Sequence, residues 1–485
     1  MKRLLVVSNR APYTVRRRAG QTELVRTVGG LATALDDTLR AHGGKWLAWS
    51  GNVAAGRIRR RRRRPFSSHL IDSPAGGYRL RLLNLTEQQV SDFYHGFSNR
   101  SLWPLCHYFI TRSRFYADEW KTYEEVNRVF ARAAATMVPS SGLAWIHDFQ
   151  LALVPGMLRS MRRGTRIAMF WHIPFPSAAV FRVNPWARQI VLGMLGADLI
   201  GFHTADYAWQ FLECARILAG VEVDTDRGEA HVDGRVVRVS DFPLGVEGRT
   251  FSHLGADRHT VAQAAKLRQT ISVDRLIVGV DRLDYTKGIL ERLEAYERVL
   301  ADHPELHRKV CFLQIQVPSR ENVPEYRELR ERIDRTVGRI IGRFSSAGWV
   351  PIHYVCRGFS RRELSVYYRA ADVMLVTPLR DGMNLVAQEF VATRADEDGV
   401  LVLSEFAGAA SRLREAKLVN PYDGSALADA IYECLRMKAS ERRAAMRSMR
   451  RRVLAEDVQW WLGWFLATAA TVGRRRPTRR KRRRR

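Results

Sequence analysis

The sequence predicts an α/β protein of two doubly wound domains. Three observations point there. Short apolar runs rich in Val, Ile and Leu alternate with amphipathic stretches of helical length along nearly the whole chain. The runs end again and again in Gly, Pro, Asn, Asp, His or Arg, residues suited to the strand-to-helix turns where open parallel sheets bind ligands. The alternation breaks near residues 243–246 and starts afresh at Arg275, and 485 residues are too many for a single core. The spacing sets domains at 1–245 and 246–455, a helix over 456–472 that returns to the first domain, and a basic tail, 473–485.

In chain order, residues 4–7 (LLVV) read as the first strand, ending in Ser8, Asn9 and Arg10. An Arg-rich, hairpin-like insert follows. Gly29 and Gly30 then form a glycine loop ahead of a helix over 31–44. Residues 45–50 form a second strand whose Trp46 and Trp49 are expected in the core. The stretch 91–104 (SDFYHGFSNRSLWP) is expected to be a loop. Its aromatic faces, Tyr94 and Trp103, and the polar groups between them suit a sugar as well as simple packing. After a helix over 120–135, strands at 143–146, 167–170 and 199–202 deliver His147-Asp148, Trp171-His172 and His203-Thr204 at their ends. Three such ends in succession favour a site over three structural histidines.

The second half repeats the scheme. The strand at 275–280 runs into Arg282, Asp284 and Lys287 before a helix, an arrangement suited to clamping a diphosphate. Strands at 310–317 and 352–355 follow, the second leading through Phe359 into the helix 360–371. Residues 372–376 (DVMLV) form a buried strand; Pro378, Arg380, Asp381 and Gly382 make a turn; Asn384 opens a helix carrying Leu385, Val386 and Glu389. Free N–H groups and the positive dipole end at such a helix start suit a phosphate, and a carboxylate one turn in suits a ribose hydroxyl pair. A last strand, 400–403, turns into the small-residue run 404–410. The final helix, 458–471, holds Trp460, Trp461, Trp464 and Phe465 and is expected to pack against a large surface.

Composition narrows the function classes. Five scattered cysteines without CxxC spacing argue against a disulfide framework or a zinc site and for a reducing, cytoplasmic compartment. No apolar run approaches the ~20 residues of a membrane span, and the N-terminal run is too short for a signal peptide. The net charge is +29, of which Arg57–Arg64 and Arg474–Arg485 carry 17, leaving +12 for the rest. Both runs read as solvated appendages offering weak contact to a polyanion, without the aromatic interleaving of a nucleic-acid module.

Nine motifs, in order, carry a resemblance: SNR (8–10), GGL (29–31), FSN with LWP (97–104), HD (147–148), HIPFP (172–176), RLDYTKG (282–288), PSR (318–320), TPLRDGMNLVAQEF (377–390) and LSEFAGAA (403–410). Together they resemble the trehalose-6-phosphate synthase family over about residues 3–470. The resemblance implies two Rossmann-like domains facing a cleft, the glycosyltransferase B fold, and retaining transfer of glucose from UDP-glucose to glucose 6-phosphate. It implies that Gly29, Gly30, Arg282 and Lys287 hold the donor diphosphate with the N–H groups of Leu385 and Val386. Phe359 would line the base pocket, Glu389 would take the ribose, and His172 and Asp381 the donor glucose. Arg10, Tyr94 and Arg320 would bind the acceptor phosphate and its surroundings, and Asp148 and Trp103 the acceptor sugar. Neither metal nor cofactor is implied, because Arg282, Lys287 and the helix start would stabilise the leaving diphosphate. A donor phosphate oxygen would take the acceptor proton, so no protein nucleophile is needed, and domain closure would exclude water. The chain departs from the family pattern at Gln150, Ala179 and Asn184. Relatives accept glycerol 3-phosphate, so a different sugar-phosphate acceptor is the alternative. Nucleotide preference and homo-oligomerisation stay open.

Overall fold

The computed structural model describes residues 3–18, 21–26, 30–53, 70–74, 76–319 and 324–472. Gly29, Arg320 and the two arginine runs lie outside the described residues. The chain divides into two units. The first runs to Phe242 and resumes at Leu462; the second is Pro243–Trp461.

The first unit is built on a sheet of ten described strands. Its middle, in order, is Arg235–Asp241, Leu199–Phe202, Arg166–Phe170, Leu143–His147, Leu4–Arg10, Lys45–Val53 and Arg79–Leu85, all parallel. Antiparallel strands extend both edges. Leu4 to Val7 are at most 4% exposed, because both faces of a parallel sheet are covered by its crossovers; that is why the run reads LLVV rather than alternating. The arginine-rich insert is a separate hairpin, Tyr13–Arg18 against Gln21–Arg26.

One segment departs from expectation. The stretch taken as an aromatic-polar loop is helical: Val90–Leu102 winds as a wide π-type helix, entered through a Thr86–Gln89 capping box. The cause is packing. Phe93, Phe97, Ser98 and Ser101 are buried, and Phe97 meets the rings of Trp120 and Trp186 at 5.1 and 5.7 Å. Gly96 leaves the space the Glu119 carboxyl occupies, where a Cβ would sit 2.6 Å from its carbon. Such wide turns recur at functional sites. In the helix Val458–Thr471, Phe465 stacks on Trp145 at 4.5 Å and meets Phe170 at 5.6 Å.

The second unit is a six-stranded, all-parallel sheet. Its order is Ile352–Cys356, Val310–Val317, Arg275–Arg282, Val373–Val376, Val400–Ser404, Lys417–Val419. Numbered along the chain this is 3-2-1-4-5-6, the Rossmann order, whose switch point lies between Arg275–Arg282 and Val373–Val376. Alternate residues feed cores on opposite faces: Leu276, Val278 and Val280 on one, Ile277 on the other.

Candidate active site

In the second unit the expected residues gather at the switch point. Arg282 is exposed at the end of its strand. Asp284 caps the short turn Tyr285–Lys287, accepting from Thr286 N–H at 3.0 Å. Gly288 follows at φ 63°, where a Cβ would sit 2.3 Å from the Thr377 carbonyl oxygen, so only glycine fits. This places Lys287 with its Nζ 2.5 Å from Asp381 Oδ2, both side chains at most 16% exposed. Asn384 donates to the same Oδ2 at 3.1 Å and caps the helix Leu385–Thr393 through Ala387 N–H. The N–H groups of Leu385 and Val386 have no protein acceptor among the described residues, as at any helix start.

The turn that carries Asp381 is also held by backbone hydrogen bonds. Asp381 N–H donates to the Phe406 carbonyl, Gly408 N–H to that of Asp381, and Ala409 N–H to that of Met383. A Cβ on Gly408 would lie 2.1 Å from the Gly382 oxygen. Beneath it, fully buried Arg292 donates to Asp281 at 2.7 Å, to Gln314 at 3.1 Å and to Thr377 at 3.0 Å, tying three strands together. Glu389 accepts from the Tyr368 hydroxyl at 3.0 Å, and burial pushes its carboxyl up to about 7. Phe359 lies under the Arg357 guanidinium (3.8 Å) and edge-on to Tyr367.

In the first unit two groups form. Arg10 lies 4.1 Å above the Trp49 ring and 5.2 Å from that of Tyr94, without a carboxylate partner among the described residues. The other group surrounds Asp148, which stands at φ 76°, ψ 168°, an uncommon conformation for a residue with a side chain. Its Oδ1 accepts from the N–H groups of Phe149 (2.9 Å) and His172 (3.1 Å). Burial outweighs those bonds and raises the carboxyl to about 6. His147 Nδ1 lies 3.0 Å from His172 Nε2. Trp103 is buried, packed on His107 at 4.2 Å and Phe149 at 6.0 Å. Gly30 opens the helix Gly30–His42.

Trp49 is buried, as its strand predicts, and its ring also faces Arg10, its register partner on the adjacent parallel strand. Sequence reading missed two contributors. The imidazole contact of His147 was hidden in the strand pairing. Tyr368, on the helix Arg361–Ala370, carried no signal at all. Of the departures from the family pattern, Asn184 is buried and accepts from Trp186 N–H at 3.0 Å, and Gln150 is buried. Ala179 is exposed.

Comparison with known proteins gives the family and the fold. The model of glycosyltransferase family 20 matches residues 2–471. A curated trehalose-6-phosphate synthase of Mycobacterium avium is 41% identical over 482 residues, 97% of this chain and 96% of the relative. Among solved structures, an alpha,alpha-trehalose-phosphate synthase (UDP-forming) from Burkholderia vietnamiensis superposes with TM-score 0.88 at 35% identity, covering 97% of both chains. An E. coli structure bound with UDP-2-fluoro glucose gives 0.87 at 33%, over 96% of this chain and 99% of that one. A Burkholderia xenovorans synthase in complex with glucose-6-phosphate gives 0.86 at 33%, over 96% and 100%.

Proposed function

The chain belongs to glycosyltransferase family 20, and from that premise we propose how its residues carry out the transfer of glucose from UDP-glucose to glucose 6-phosphate, giving α,α-trehalose 6-phosphate and UDP. The donor belongs to the second unit. Its diphosphate is held by Arg282, Lys287, the Leu385 and Val386 N–H groups, and the Gly29–Gly30 loop of the first unit. Glu389 accepts from the ribose, Phe359 lines the base, and Asp381 and His172 hold the glucose. The acceptor is taken by Arg10, Tyr94 and Arg320 at its phosphate and by Asp148 at its sugar, with Trp103 backing that side through Phe149.

One observation carries the reading. Arg282 and Lys287 follow one of the two strands that flank the switch point of a 3-2-1-4-5-6 sheet, the helix start at Leu385 and Val386 follows the other, and Gly288 lets the two turns approach closely. As the bond to the diphosphate breaks, charge develops on its oxygens, and fixed positive groups stabilise it most in the transition state. The nucleotide sugar is a substrate, and these groups do the work a metal would otherwise do. An acceptor proton passes to a donor phosphate oxygen. The five cysteines are unpaired, which suits a reducing, cytoplasmic setting; among the described residues no helix is long and apolar enough to cross a membrane.

Incubation with UDP-glucose and a panel of acceptors is the test. UDP release is expected to depend on glucose 6-phosphate. Release without an acceptor, or faster release with glycerol 3-phosphate, would refute the assignment of the acceptor.

A further inference from the structure

The strands Leu143–His147, Arg166–Phe170 and Leu199–Phe202 are neighbours in the first sheet, so His147, His172 and His203 leave it side by side. The His147 and His172 rings lie nearly parallel, 14° apart with centroids at 5.4 Å. His147 is 2% exposed, with Trp145 4.5 Å away on its other side; His172 is half-buried. Burial lowers the pKa of both imidazoles, that of His147 to about 3, and the neighbouring His147 and His203 lower that of His172 further. Both rings are therefore neutral at pH 7, and a neutral pair 3.0 Å apart shares one proton: one nitrogen donates and the other accepts.

The remaining nitrogen of His147 decides the direction. His147 Nε2 is buried and has no hydrogen-bond partner among the described residues. If His172 Nε2 were the donor, His147 would carry its proton on Nε2, as a buried N–H without an acceptor. If His147 Nδ1 is the donor, only a lone pair is stranded there. Orphaned buried N–H groups are the rarer of the two. We infer that His147 is a positioning residue: its Nδ1–H donates to His172 Nε2, keeps the His172 proton on Nδ1, and so makes His172 a hydrogen-bond donor toward a hydroxyl oxygen of the transferred glucose. The His172 Nδ1 has no protein partner among the described residues, and Asp148 fixes the backbone beneath it through the His172 N–H. The inference rests on the sugar role proposed above for His172; the tautomer itself does not.

Two measurements test it. Nitrogen-15 NMR of the histidine-labelled full chain without ligands reads the tautomer directly. The expected result is a His172 protonated on Nδ1 and a His147 protonated on Nδ1; a His172 protonated on Nε2 would overturn the proposal without any variant. Kinetics supply the second arm. His147→Leu removes the donor and is expected to lower kcat/KM for UDP-glucose roughly 10-fold, of the order of one oriented hydrogen bond, with the affinity for UDP alone unchanged. His147→Asn, whose carboxamide N–H lies near the position of Nδ1–H, is expected to recover most of that loss. Equal kcat/KM for His147→Leu and the parent chain, or no recovery in His147→Asn, would overturn the proposal. A δ-protonated His172 whose replacement by alanine leaves UDP-glucose turnover intact would refute the sugar role and leave the tautomer standing.

Discussion

At the ends of its strands the first unit gathers groups that carry no charge or no counter-charge, whereas the second gathers ion pairs. In the first, Arg10 rests on aromatic faces, Asp148 is satisfied by two backbone N–H groups, and His147 and His172 are neutral. In the second, Lys287 is already paired with Asp381, and Arg292 with Asp281. The difference has a consequence for binding. A phosphate arriving at Arg10 meets a cation whose partners are only ring faces, worth about 0.5–1 kcal/mol at an exposed site, so little is given up. A diphosphate arriving at Lys287 has to displace a carboxylate, so binding there is an exchange. On the donor site proposed above, the displaced Asp381 would take the glucose hydroxyls as new partners.

The largest effect is expected at Arg282, which makes no ion pair among the described residues. Arg282→Ala is expected to reduce kcat by roughly 100-fold or more, the cost of removing one donor that acts in the transition state. Single-turnover kinetics with UDP-glucose measure it, and near-normal turnover would place the diphosphate elsewhere. Next in size, Arg10→Ala should raise KM for glucose 6-phosphate by roughly 10- to 100-fold, as for loss of a charged hydrogen bond, and leave KM for UDP-glucose alone. Equal effects on both substrates would erase the division of labour between the units.

A smaller effect tests burial against charge. The Glu389 carboxyl titrates near 7, above the ordinary value for glutamate, because it is buried. The native state therefore holds that proton more tightly than the unfolded chain does. Stability from this group is fully present below about pH 4.5, is lost as pH rises to about 7, and stays lost above. Glu389→Gln should be more stable than the parent chain at pH 8, by on the order of 1–3 kcal/mol, and equal to it at pH 4.5, in urea melts of the unliganded protein. Its affinity for the donor should fall. Equal stability at pH 8 would mean that Tyr368 fully compensates the buried charge. Smallest of all, Trp49→Leu should weaken glucose 6-phosphate binding only about 2- to 5-fold, the worth of one cation–π contact. A loss as large as that of Arg10→Ala would show that Trp49 touches the sugar itself.

The fold was legible because the central strands of both sheets are parallel and buried on both faces. Runs such as LLVV, DVMLV and VLVL announce themselves without regard to partners. The donor half of the candidate site was legible for the same reason: Arg282, Lys287, Asp381, Asn384 and Glu389 lie on local strand–turn–helix segments, where spacing along the chain fixes position in space. What was hidden depends on contacts between distant segments. The wide helix Val90–Leu102 follows from packing against Trp120 and Trp186, which no local period encodes. The pairings Lys287–Asp381, Tyr368–Glu389 and His147–His172 join strands and helices 21 to 94 residues apart. Trp49 was legible as core, and it is; its contact with Arg10 was not, because it joins two strands far apart in the sequence.

Gly408 shows how far such a contact reaches. It offers no functional group, yet its α-carbon is pressed so closely on the Gly382 oxygen that a single methyl would push the aspartate-bearing turn off its seat. A random-mutagenesis screen for inactive clones would return this position beside the arginines and lysines. Its defect would be distinguishable only by crystallography, as a shifted loop in a protein whose chemistry is otherwise intact.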